Sequence, residues 1–176
     1  MTSEFDKFSV ELLEEAKRFL EKASAGIAQP AFLHASLVLA FSSLESHING
    51  IAEELMLRND NTVLEQSLLS EREVKFDKGE WALGKARYFR MEDRMAFLIR
   101  KYSSTDVSGS EWWSEFKSGG DARNKLVHPR DAIVLTVADV ERYLLAIIEA
   151  LNAIYLAVFN RGHPSYGRGL QSTSTF

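Results

Sequence analysis

The stretch PAFLHASLVLAFSSLESHINGIAEELMLR, residues 30–58, decides the fold. Leu37, Phe41, Leu44, Ile48, Ile51 and Leu55 recur at intervals of three and four, the period of one apolar face on an α-helix. Ser42, Glu45, Ser46 and Asn49 fall at i, i+3, i+4 and i+7, so they share a second, polar face. Pro30 suits the first turn of such a helix, where its missing N–H costs no hydrogen bond. Upstream, Phe5, Phe8, Leu12, Ala16, Phe19 and Leu20 repeat the pattern after a Ser3-x-x-Asp6 capping box. Gly26 and Pro30 punctuate the join. Two long amphipathic helices on a short turn predict an antiparallel hairpin, the usual opening of a bundle.

Downstream the pattern is less even. Asn59-Asp60-Asn61 signals a turn, and residues 62–69 predict a short helix. A polar linker and then a helix somewhere within residues 81–102 follow, with a loop over 103–110 and a short helix over 110–116. Ser118-Gly119-Gly120 reads as a chain break, with Asp121 capping a short helix that stops near His128 because Pro129 disfavours helical geometry before it. Thr136-x-x-Asp139 is a second capping box, opening a helix to about Asn160 that is apolar nearly all round and so belongs in the middle of a bundle or at a subunit interface. No alternating β pattern appears beyond residues 132–137. The expectation is an all-α bundle built on two long antiparallel helices plus a long C-terminal helix, one domain over residues 1–160 with a disordered tail over 161–176.

Composition narrows the chemistry. The chain has 176 residues, enough for one domain with a sizeable core, and no cysteine, which excludes disulfide scaffolds, thiol nucleophiles and cysteine-ligated metals. A formal net charge of −4 excludes a uniformly basic coat for nucleic acid but permits a local basic patch. The start lacks the features of a signal peptide, and the most membrane-like run, residues 143–159, is shorter than a span and broken by Glu149 and Asn152, so a cytoplasmic location without a membrane is expected. Glu45-Ser46-His47 does not have the Glu-x-x-His spacing of carboxylate-bridged metal bundles, and no Gly-rich phosphate loop or nucleophile elbow is present. No metal or cofactor is expected.

What remains is Asp121-Ala122-Arg123-Asn124-Lys125-Leu126-Val127-His128-Pro129. Chance supplies roughly 0.3 Arg-x4-His pairs in a chain of this composition, so the pair takes its meaning from its place at a helix end beyond a long hairpin. A five-residue offset on one helix is about 140°, but a helix ending at Val127 frees His128 to turn back toward Arg123. Together they suit a phosphodiester: a planar permanent cation for the phosphate oxygens, and a group that trades protons near neutrality.

Arg123-Asn124-Lys125-Leu126-Val127-His128 resembles the Arg-x4–6-His motif of HEPN domains, a helical superfamily named for nucleotide binding in higher eukaryotes and prokaryotes, in its Arg-Asn-x-x-x-His form. Phe41-x-x-Leu44-Glu45-x-x-Ile48-Asn49 is similar to that family's second helix, and the resemblance spans roughly residues 5–160. It implies a HEPN-like bundle that dimerises with the motif at the interface and cleaves RNA by its own 2′-OH. His128 is then the general base or acid, Arg123 the phosphate clamp, and Asn124 the residue orienting them. Glu45 and Asn49 are candidates to support the site from the neighbouring helix. Toxin–antitoxin or antiviral roles follow, with any antitoxin or regulator a separate chain. In one toxin branch a modified Tyr stands two residues after the His; here Arg130 stands there. The alternative is a catalytically inactive interaction or nucleotide-sensing module.

Charge adds one more candidate surface. Arg87, Arg90 and Arg94 fall at i, i+3 and i+7, which on a helix makes a stripe for an RNA backbone, with Tyr88 and Phe89 beside it to stack on bases and Lys125 and Arg130 extending the basic surface.

Overall fold

The computed structural model describes residues 4–26 and 28–176. Helix α1 (Glu4–Ser24) and helix α2 (Gln29–Met56) form the expected hairpin; the Ser3-x-x-Asp6 box lies outside the described residues. The turn between them carries Gly26 at φ 87°, a left-handed conformation that glycine adopts without steric cost. All six stripe residues of α2, from Leu37 to Leu55, are buried. On α1 the buried face is Leu13, Ala16, Leu20 and Ala23, and Phe8 is left exposed, so the inward face is turned slightly from the one expected.

Helix α3 (Val63–Ser70) begins with a capping box: the Thr62 hydroxyl accepts from the Glu65 amide, and the Glu65 carboxylate accepts from the Thr62 amide at 2.7 Å. The polar linker expected next is instead a β-hairpin. Strand β1 (Arg72–Asp77) pairs antiparallel with β2 (Glu80–Ala86) through a two-residue turn, Lys78-Gly79, with both φ values positive. That is the geometry whose twist matches a hairpin. Phe76 sits directly opposite Trp81, their rings 5.2 Å apart, a cross-strand pair that stabilises so short a ribbon. The helix expected within 81–102 is therefore only α4 (Met91–Ser103).

A 3₁₀ turn at Val107–Gly109 leads to α5 (Trp113–Val127), which corrects a second expectation. The chain does not break at Ser118-Gly119-Gly120, and Asp121 is inside the helix, not its cap. Gly119 is a packing notch: a Cβ there would stand 3.0 Å from Cβ and Cγ of Tyr143 and 3.3 Å from the Phe41 ring. Close approach of α5 to its neighbours, rather than a turn, accounts for Gly119, whereas a Cβ on Gly120 would meet the Phe41 ring only at an ordinary 3.8 Å. α5 does end at Val127, with His128 as a non-helical cap before Pro129.

Helix α6 (Val137–Phe159) opens on the Thr136–Asp139 capping box and ends at Asn160, as expected. It packs against α1, α2, α4 and α5 and is the central helix of the bundle, with Leu144, Ile147, Ile148, Leu151 and Ile154 buried. Helices α2 and α6 also have the length and apolarity of a membrane span; in this fold their apolar faces supply the core. The fold is thus mainly α, with one small two-stranded sheet.

The tail from Arg161 is not disordered. It runs back over α1 and ties into a buried polar cluster. Glu14, on α1, accepts from Arg168 at 2.6 Å, from the Thr173 amide at 2.7 Å and from Ser165 at 3.3 Å, and pairs with the buried Lys17 at 3.4 Å. His163 is 3% exposed, its Nε2 lies 3.4 Å from Nε2 of His47, and its amide donates to Asn152. Polar composition suggested solvent for this segment; the carboxylate of Glu14 supplies the acceptors that hold it down instead.

This cluster gives stability a pH dependence. Burial, and then the nearby positive ends of His47, Lys17 and Arg168, lower the His163 pKa from 6.5 to about 3. The unfolded chain takes up this proton near 6.5 while the folded chain refuses it until about 3. The His163 contribution to stability is therefore fully present above 6.5 and is lost as the pH drops from 6.5 toward 3. Thermal melts should show Tm declining across that window, and His163→Gln should flatten the decline. An equally steep decline in the variant would contradict the assignment.

Candidate active site

Two elements build the cleft that holds Arg123. One wall is the C-terminal half of α5, continued past its end. The other is Tyr88 and Arg90, on the segment of residues 87–90 between β2 and α4, with Met91 and Glu92 at the start of α4. That segment is braced from behind: Glu71, at the end of α3, accepts from the Phe89 amide, and its backbone carbonyl accepts from the Arg87 amide at 2.8 Å. Glu71 in turn pairs at 3.1 Å with Arg94, which is 6% exposed and also donates to Asn49 at 2.7 Å and to the Leu69 carbonyl. Burial lowers the Arg94 pKa while the Glu71 and Glu45 charges raise it, so the guanidinium is held as part of a buried charge network.

The arginine stripe expected on one helix is therefore not built. Arg87 and Arg90 precede α4 on extended chain, and Arg94 alone is helical and points into the structure as a brace. The helix begins after Arg90 because the hairpin occupies the sequence before it. Arg87 lies over the Phe89 ring at 5.2 Å. Arg90 is exposed and lines the cleft, as does Tyr88, which is 75% exposed.

The cleft has two lobes. The smaller, about 370 Å³, has Phe41 and Phe116 among its apolar lining and carries Tyr88, Arg90, Glu92 and Arg123. The larger, about 870 Å³, is lined by Arg123, Asn124, Lys125, His128 and Arg130, with the loop residues that follow. Tyr88, Asp121, Arg123 and Asn124 belong to both lobes. Arg123, Asn124, Lys125, His128 and Arg130, all singled out from the sequence, thus meet in the larger lobe, with Tyr88 shared between the lobes and Arg90 in the smaller one.

Within it, Arg123 donates to the Asn124 side-chain oxygen at 3.1 Å and lies 3.6 Å from the Glu45 carboxylate. Its Nε–H is buried with no acceptor among the described residues. With its guanidinium fixed by Asn124 and Glu45 on the wall common to both lobes, Arg123 sets a permanent cation where an anion entering the cleft would meet it. His128 is exposed; its backbone amide donates to the Asn124 carbonyl at 2.8 Å, which fixes the turn that carries the ring. Of the two α2 candidates, Glu45 reaches Arg123, whereas Asn49 touches Arg94 and so acts one layer further back.

Sequence reading missed Asp121 as a cleft residue and the brace from Glu71. Asp121, Asn124, Lys125 and His128 stand at i, i+3, i+4 and i+7, a signal hidden by taking Gly119-Gly120 as a break. Comparison of the chain with protein-family models, with curated proteins and with solved structures finds no match.

Proposed function

We propose that this chain is a metal-independent endoribonuclease of the HEPN type. It acts as a homodimer in the cytoplasm, in toxin–antitoxin or antiviral defence, with any antitoxin or regulator a separate chain. The observation that carries the reading is the shared cleft of Arg123, Asn124, Lys125, His128 and Arg130. The resemblance supplies the dimer and the pairing of motifs across it.

The chemistry needs only side chains of this kind. His128 takes the proton from a ribose 2′-OH as that oxygen attacks the adjacent phosphorus, or gives one to the departing 5′-oxygen; the same residue of the second copy serves the other end. Arg123 offsets the charge that builds on the phosphoryl oxygens. The P–O5′ bond breaks as the P–O2′ bond forms, leaving a 2′,3′-cyclic phosphate and a 5′-hydroxyl. Lys125 and Arg130 hold the flanking phosphates, an interaction that salt weakens.

Purified chain incubated with single-stranded RNA in excess chelator should yield fragments ending in 2′,3′-cyclic phosphate. Replacing the attacking ribose by 2′-deoxyribose should block cleavage at that position. Cleavage that persists at the deoxy position would overturn the mechanism. The Glu45–Arg123 ion pair favours a second reading, an inactive HEPN-like interaction or nucleotide-sensing module, in which the arginine's charge is already partly spoken for. That reading predicts no cleavage of any RNA by an intact dimer.

A further inference from the structure

Resting on the ribonuclease reading, we propose that the smaller lobe is a guanine subsite that chooses where the RNA is cut. The two lobes divide their chemistry. His128, Lys125 and Arg130 line only the larger one, which suits ribose and phosphate. Phe41, Phe116, Arg90 and Glu92 line only the smaller one, at about 370 Å³ room for a single base. Arg123 and Tyr88 border both, so a base in the smaller lobe lies one nucleotide step from a phosphate on Arg123.

Tyr88 offers a ring face to stack on, the sequence-tolerant part of single-strand binding. Discrimination falls to Glu92 and Arg90, whose side chains have no hydrogen-bond or ion-pair partner among the described residues. Guanine alone presents two adjacent N–H donors, N1–H and the N2 amino group, which match the two oxygens of a carboxylate. Its O6 and N7 accept from an arginine fork. Adenine and cytosine place a ring acceptor beside their amino group, and uracil flanks its single N–H with two carbonyls, so a carboxylate repels each of them.

Calorimetric titration of the full chain with GMP, AMP, CMP and UMP tests this without requiring cleavage. GMP should bind at least tenfold more tightly than the other three. Glu92→Gln should erase that preference, and Tyr88→Ala should weaken all four nucleotides by roughly 5- to 150-fold. Equal affinities for the four, or an undiminished GMP preference in Glu92→Gln, would overturn the subsite. GMP preference without RNA cleavage would sink the ribonuclease reading and leave the subsite standing. Cleavage with no base preference in binding or cut position would do the reverse.

Discussion

His128→Ala should slow RNA cleavage in chelator by roughly 10²–10⁴-fold, the usual worth of a positioned acid or base. The fold should not change, because the side chain is exposed and the cap is made by its backbone amide, which alanine retains. Arg123→Ala should cost a further, separable factor of about 10²–10³ through lost stabilisation of the phosphoryl charge. Arg123→Lys should recover little of it, since a point charge cannot hold Asn124 and a phosphate with one planar fork. Single-turnover rates on a defined RNA, beside thermal melts of each variant, are the measurements. An His128→Ala protein that folds and cuts at the rate of the parent would remove the site from the chemistry.

Glu14→Ala should have the largest effect on stability, a loss of about 3–5 kcal/mol. The carboxylate is buried, and its removal strands Lys17, a fully buried ammonium, together with the donors on Arg168 and Thr173. Burial alone would raise the Glu14 pKa; the Thr173 amide and Arg168 outweigh it and lower the value, so the group is ionised where the tail is docked. The visible consequence should be release of residues 161–176, read as new protease cleavage behind Asn160 and a lower urea midpoint. Glu14→Leu combined with Lys17→Met should recover much of the loss, because the pair is then removed whole. A Glu14→Ala protein with a protected tail and unchanged midpoint would show that the cluster does not secure it.

The long helices were legible because their information is local: a 3.6-residue period in α2 and α6, a capping box at Thr136, and a proline after His128. The features that escaped reading depend on partners distant in sequence. Gly119 looks like a breaker until Tyr143 and Phe41 are seen against it, when it becomes the space that lets α5 and α6 meet. The β-hairpin hides behind a Lys-Gly turn and charged strand residues, and only the Phe76–Trp81 pairing explains it. The tail looks like solvent-loving chain until Glu14 supplies its acceptors. At the site, the short motif pointed to the residues that line the cleft. The spacing of Arg87, Arg90 and Arg94 misled, because the helix it assumed begins only after Arg90. Tyr88 kept its exposed place through a brace, Arg94 on Glu71, that joins two elements no local pattern connects.

A crystal structure of the chain with a non-cleavable 2′-deoxy RNA oligonucleotide tests the central claim most directly. It should show two copies related by a two-fold axis, with both Arg123 and both His128 side chains converging on one phosphate-bearing cleft. Motifs on opposite, unconnected faces of the assembly, or RNA bound away from Arg123 and His128, would contradict it.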